Sequence, residues 1–145
     1  MTAALRTLAD VESLSATDVL DHLDRQATIA VKGGLQRQGD VGFIPTRVLA
    51  EKYRTADPEP LTAAGVALVS SGQGGHTHLL VADGPVTWAP VARAVELGDV
   101  GVFTVPDGAT AYVIHPEHGA MGFAPGAYLV RRQTEMADEL RIVAD

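Results

Sequence analysis

The chain of 145 residues contains no cysteine. That excludes disulfides, thiolate metal sites, iron–sulfur clusters and cysteine nucleophiles, and it leaves any metal site to His, Asp or Glu. Aromatic residues make up only 5%, whereas there are 15 Gly and 8 Pro. This is too much punctuation for a helix bundle and favours a turn-rich β protein. No apolar run reaches the roughly 18 residues that a membrane-spanning helix needs. Residues 1–14 carry Arg6, Asp10 and Glu12 and lack the unbroken apolar stretch of a secretory signal, so the expectation is a cytoplasmic chain with no membrane contact. Basic residues are scarce beyond the first third: residues 55–145 hold four against eleven acidic ones, and between 55 and 130 the only base is Arg93. A formal net charge of −7 distributed in this way disfavours nucleic acid as a partner.

What is present is 46% apolar and 20% charged residues, the proportions of one soluble domain with a real core. Ser15, with Asp18 three residues on and Val19, Leu20, Leu23 and Ala27 at helical spacing, predicts an amphipathic helix over about 16–26. Residues 3–9 are either a short helix or a frayed arm. Residues 1–34 thus read as a helical appendage and 35–145 as a β core, small barrel or sandwich. Strands are predicted at 41–45, 65–70, 77–82, 99–105, 110–115 and 127–133, with another around 140–143. Residues 48–53 are ambiguous, and 55–60, with Asp57-Pro58-Glu59-Pro60, read as an exposed loop.

One pattern occurs twice: Gly39-Asp40-Val41-Gly42-Phe43 and Gly98-Asp99-Val100-Gly101-Val102-Phe103. Either Gly-Asp is simply a frequent way into a strand, or a β unit is duplicated.

Four of the five histidines form two tight groups, His76-Thr77-His78 and His115-Pro116-Glu117-His118. Strand alternation points His76 and His78 to the same side, and Pro116 turns the chain so that His115 and either Glu117 or His118 can face one point. Such a set offers nitrogen and oxygen donors to a divalent transition metal, Zn, Fe, Mn, Ni or Cu, rather than to Ca or Mg. The expected ligands are His76, His78, His115 and His118. His118 is a fourth ligand or a general acid/base, and Glu117 orients a histidine or moves a proton. His22 reads as an exposed helix residue, and Trp88 and Tyr112 as core or pocket wall. Arg131 and Arg132, adjacent on a strand, should face opposite ways. Ser70–Gly75 lacks the Lys-Ser/Thr of a phosphate-binding loop, and no Gly-x-Ser-x-Gly elbow is present.

His76-Thr77-His78, then Val105-Pro106-Asp107-Gly108 and His115, resembles the metal site of the cupin family, over about residues 70–118. The resemblance implies a β-barrel with an inward-facing site in which His76, His78 and His115 are ligands. It departs from the family in lacking the Glu after His78, where Asp83 is the nearest carboxylate, and in placing six residues between Gly108 and His115. The fourth position is thereby left to His118, Glu117, Asp83 or water. The longer pattern, including Pro125-Gly126-Ala127-Tyr128-Leu129-Val130-Arg131-Arg132-Gln133, also resembles a group of small uncharacterised bacterial proteins, from which no activity carries over.

The favoured reading is a metal-dependent enzyme acting on a small-molecule substrate. Two alternatives stand beside it: a metal-independent ribonuclease working through a histidine acid–base pair, and a non-catalytic binding module. The exposed strand edges of a partial barrel leave room for a homodimer.

Overall fold

A computed structural model describes residues 6–50, 53–70, 77–92 and 98–133. Among these residues the chain forms one α-helix, α1 (Leu8–Ser15), one 3-10 turn at Thr46–Val48, and eleven strands. They are β1 (Val31–Lys32), β2 (Gln36–Gln38), β3 (Val41–Pro45), β4 (Glu59–Pro60), β5 (Val66–Ser70), β6 (Thr77–Asp83), β7 (Thr87–Pro90), β8 (Asp99–Val105), β9 (Thr110–His115), β10 (Gly119–Phe123) and β11 (Gly126–Arg132). The strands make two sheets, ordered β1-β10-β9-β6-β5 and β2-β3-β11-β8-β7-β4. Among the described residues each sheet keeps two edges, so of the two architectures expected the molecule is a sandwich and not a closed barrel. No helix among the described residues is long and apolar enough to cross a membrane.

The core between the sheets follows from strand alternation. Val41 and Phe43 of β3, Phe103 and Val105 of β8, and Tyr128 and Val130 of β11 face Leu80 of β6, Ala111 and Val113 of β9, and Phe123 of β10. Phe43, Phe103, Phe123 and Tyr128 meet with ring centroids 4.9–6.3 Å apart, mostly edge to face. Four of the chain's seven aromatics are thus concentrated at one point. Trp88 packs against this core from β7.

The outer face of the five-stranded sheet carries a second cluster. Val81, Tyr112 and Ile114 are covered there by Leu8, Val11, Val19 and Ile29 of the N-terminal segment. Here the expected helix over 16–26 is displaced. Thr7 rather than Ser15 is the N-cap: its hydroxyl accepts from the Asp10 main-chain N–H, and the Asp10 carboxylate accepts from the Thr7 N–H, a complete capping box. Ser15 is the last helical residue, and Ala16 stops the helix in the left-handed region at φ 54°. Residues 16–26 continue as turns because Glu12 captures them, accepting from the Val19 N–H at 2.9 Å and from Arg25 Nε at 3.0 Å. His22 is exposed, as expected, but lies on a turn.

The six predicted strands coincide with β3, β5, β6, β8, β9 and β11 to within a residue or so at each end. The strand expected at 140–143 lies outside the described residues. Five strands carried no strand signal of their own: β1, β2, β4, β7 and β10. β4 falls within the expected 55–60 loop, and its two residues, though exposed, pair with Trp88 and Thr87 at the edge of the six-stranded sheet.

The repeated Gly-Asp-Val-Gly pattern acquires a structural meaning. β3 and β8 lie on either side of β11, both antiparallel to it. Gly39 (φ 59°) and Gly98 (φ 94°) occupy left-handed backbone at the two strand entries. The following aspartates each hold an arginine of β11: Asp99 bonds Arg131 Nε at 2.7 Å and Asp40 bonds Arg132 Nε at 3.2 Å. The two arginines therefore face opposite ways, as alternation required. The end of β11 is clamped from both sides, Arg132 N–H donating to Gly98 O and Gln133 N–H to Asp40 O.

Removing one ring of the aromatic cluster is expected to be costly. Phe123→Ala should lower unfolding stability by about 3–5 kcal/mol, read as a lower urea midpoint at unchanged slope.

Candidate functional site

The inward register of β6 and β9 continues past the apolar core to its end. His78 precedes Leu80 by two residues and His115 follows Val113 by two, so both imidazoles enter the space between the sheets. The pairing of Leu79 with Ile114 sets them side by side. Their ring centroids are 4.4 Å apart, and both residues are buried, at 4% and 6% exposure. The β9–β10 turn, residues 116–118, brings the exposed His118 over the same spot, 4.5 Å from the His115 ring and 6.2 Å from the His78 ring. Three of the four expected ligands are therefore neighbours. The fourth, His76, lies outside the described residues.

The β2–β3 hairpin closes this end of the sandwich. Gln38 is buried, and its amide Nε2 donates to Val113 O at 3.1 Å and Gly119 O at 3.3 Å. With the NH2 group so engaged, Oε1 is the atom that meets His78 Nδ1 at 2.8 Å, so that ring nitrogen carries the hydrogen. His78 Nε2 is left with a lone pair and stands 3.7 Å from Asp40 Oδ1. His115 has the opposite polarity: its Nδ1 accepts from the main-chain N–H groups of Glu117 (3.1 Å) and His118 (3.4 Å), which puts the proton of the neutral ring on Nε2. His118 rests on Gly39. A Cβ there would lie 2.8 Å from His118 Nε2, so any larger residue would displace the ring as well as strain the turn.

Burial pushes the His78 pKa down from 6.5 to about 4, assisted by repulsion from His115 and, more weakly, from His118 and Arg132, and opposed by Asp40. The ring is neutral over the physiological range, the form that binds a metal or accepts a proton.

The other residues singled out in the sequence fall elsewhere. Asp83 is at the far end of β6, 2.8 Å from Arg6 Nε, and cannot complete a site at His78. Tyr112 faces the N-terminal segment, its hydroxyl buried and without a hydrogen-bond partner among the described residues. Glu117 is exposed on the turn and contributes its main-chain N–H to His115. Gln38 and Asp40 were not recognised from sequence. Asp40 stood only in the repeated turn pattern, and a glutamine on a three-residue polar strand gives no sign of burial. Among the described residues, no three His, Asp or Glu groups have their donor atoms already gathered around one point. A groove of about 260 Å³ lies on the outer face of the six-stranded sheet, between Leu35, Arg37, Ile44 and Arg131, and includes none of the histidines.

The fold and this cluster define a β-sandwich domain with a polar, histidine-lined end to its core. Residues 37–133 match the family described as a domain of unknown function, DUF8820, and the chain belongs to that family. The match spans every residue of the cluster just described, from Gln38 to Arg132, and excludes α1. No curated protein and no solved structure matches the chain.

The depressed pKa of His78 has a definite sign. The folded chain binds this proton less readily than the unfolded chain. The stabilisation is therefore complete above about pH 6.5, declines as pH falls, and is exhausted near pH 4. Chelator-treated protein should lose about 3 kcal/mol across that window on account of this group. The difference between parent and His78→Gln in urea midpoint against pH measures it, and parallel profiles would refute the assignment.

Proposed function

We propose that His78, His115 and His118 form the core of a transition-metal site, and that the domain uses one such ion in chemistry on a small-molecule substrate. The observation that carries this reading is the compactness of the three rings together with the fixed tautomer of His78. Imidazoles sharing one tetrahedral ion through nitrogen at about 2.1 Å have centroids roughly 5 Å apart. The separations here are 4.4, 4.5 and 6.2 Å. A ligating histidine characteristically donates its other N–H to an oxygen acceptor, and Gln38 provides one for His78. His76, the remaining ligand expected from the sequence, lies outside the described residues. Zn, Fe, Mn, Ni and Cu all suit imidazole and carboxylate donors. A bound ion would supply Lewis acidity toward a substrate oxygen. The chain's own part is to hold His78 Nε2 unprotonated and to use His118 and Glu117 at the exposed rim as ligand or proton carrier; His115 would ligate through Nδ1 in exchange for its two main-chain hydrogen bonds, keeping its hydrogen on Nε2. A cytoplasmic setting belongs to the same proposal, as does self-association through the sheet edges.

A second reading, a metal-free imidazole acid–base pair, is favoured by one observation. His78 Nε2 is an acceptor, whereas His115, accepting at Nδ1, is a donor at Nε2. For RNA as substrate this reading lacks support from charge, since Arg131 and Arg132 are each held by an aspartate.

Elemental analysis of purified, untagged protein separates the two. About one equivalent of a transition metal per chain is expected in the parent, and none in the His78→Ala/His118→Ala double variant. Equal trace metal in both would refute the metal reading and leave the acid–base pair.

A further inference from the structure

Gln38 and Asp40 flank Gly39 on one turn and approach the same imidazole from its two nitrogens, Oε1 of Gln38 at 2.8 Å from Nδ1 and Oδ1 of Asp40 at 3.7 Å from Nε2. The geometry points to Asp40 as the oxygen ligand of the site, so that the β2–β3 hairpin supplies the carboxylate of a mixed nitrogen–oxygen donor set; this rests on the metal reading above.

Once Gln38 has fixed the hydrogen on Nδ1, the other edge of the ring presents a lone pair to a carboxylate oxygen. Two acceptors facing each other repel, and a cation between them turns the repulsion into attraction. A proton would turn His78 into an imidazolium in a position that is 4% exposed, beside two further imidazoles. A divalent ion needs no such charge on the ring. Two donors each about 2.1 Å from a tetrahedral ion stand roughly 3.4 Å apart, slightly closer than the 3.7 Å seen here, a gap that a small swing of the exposed Asp40 side chain closes.

The present partner of Asp40 leaves this role open. Arg132 Nε lies 3.2 Å from Oδ2, the oxygen turned away from His78, and the two side chains are 39% and 49% exposed. Such a pair is weak. A bound ion would displace or share it, and Arg132 would balance the carboxylate when the ion is absent. The same turn positions a third donor, because the His118 ring lies over Gly39. Asp83, the carboxylate the sequence suggested, is tied to Arg6. Asp40 therefore takes the place of a downstream acid.

Cobalt(II) is the probe. Chelator-stripped full-length protein is titrated with Co²⁺ at neutral pH, followed by visible absorption and calorimetry. The parent is expected to bind with a ligand-field spectrum. Asp40→Asn should weaken binding about tenfold or more and change the band shape, because a carboxylate is lost from the ion. Arg132→Gln should bind as tightly as the parent or a few-fold tighter, because the competing cation is gone. Both side chains are exposed, so the melting temperatures of the stripped variants should stay close to that of the parent. Asp40→Asn with parental affinity and spectrum overturns the assignment of Asp40 while leaving the histidine site intact. A parent that binds no Co²⁺ overturns the metal reading and the Asp40 assignment with it.

Discussion

An amide buried between two β-sheets must have its hydrogen bonds supplied by protein, and Gln38 is such an amide. Leaving its polar atoms unpaired would cost several kcal/mol, by the usual penalty of about 1–3 kcal/mol for each unsatisfied group. Its NH2 group is paired with Val113 O and Gly119 O, and its oxygen with His78 Nδ1. All three partners belong to the five-stranded sheet, whereas Gln38 belongs to the six-stranded one. This one side chain therefore pins the β2–β3 hairpin to the opposite sheet and sets the rotation of His78 as it does so. The position of Asp40 beside the ring and the seat of His118 on Gly39 both follow from that attachment.

The opposite polarity of His78 and His115 has the same local origin. One ring is read by a side-chain oxygen and the other by main-chain N–H groups of a tight turn, so two chemically identical groups become an acceptor and a donor 4.4 Å between centroids. A metal site and an acid–base pair would both draw on this asymmetry. The matched family span contains every residue of the arrangement, whereas the N-terminal helix that covers the outer face of the five-stranded sheet lies outside it. The N-terminal cover nevertheless packs directly on the strand that carries His115, and Leu20 N–H donates to Pro116 O on the turn that carries His118.

Much of the sandwich was legible because its longer strands carry their own signal. Alternating or continuous apolar runs such as Val41–Pro45, Asp99–Val105 and Thr110–His115 are bounded by Gly, Pro or Asp. Four of the five missed strands share the opposite character. Gln36–Gln38 is polar, Gly119–Phe123 is rich in glycine, and Val31–Lys32 and Glu59–Pro60 are too short to show a period. Each is a strand because a neighbour provides a ladder. The misplaced helix has a comparable cause: Ser15–Asp18 and Thr7–Asp10 are both potential caps, and the packing of Leu8 and Val11 on Tyr112 and Ile114 selects the earlier one.

The sequence by itself determined the β class, the restriction of any metal ligands to His, Asp and Glu, the grouping of four histidines in two short segments, and the opposite facing of Arg131 and Arg132. These are matters of composition and of the two-residue period of a strand. Tertiary structure decided that His78, His115 and His118 share one end of the core, that Gln38 and Asp40 rather than Asp83 attend them, and which ring nitrogen is left bare. Those outcomes depend on pairings between residues some 40 to 80 positions apart along the chain, and no local pattern encodes which hydrogen bonds remain to be satisfied once two sheets have closed on each other.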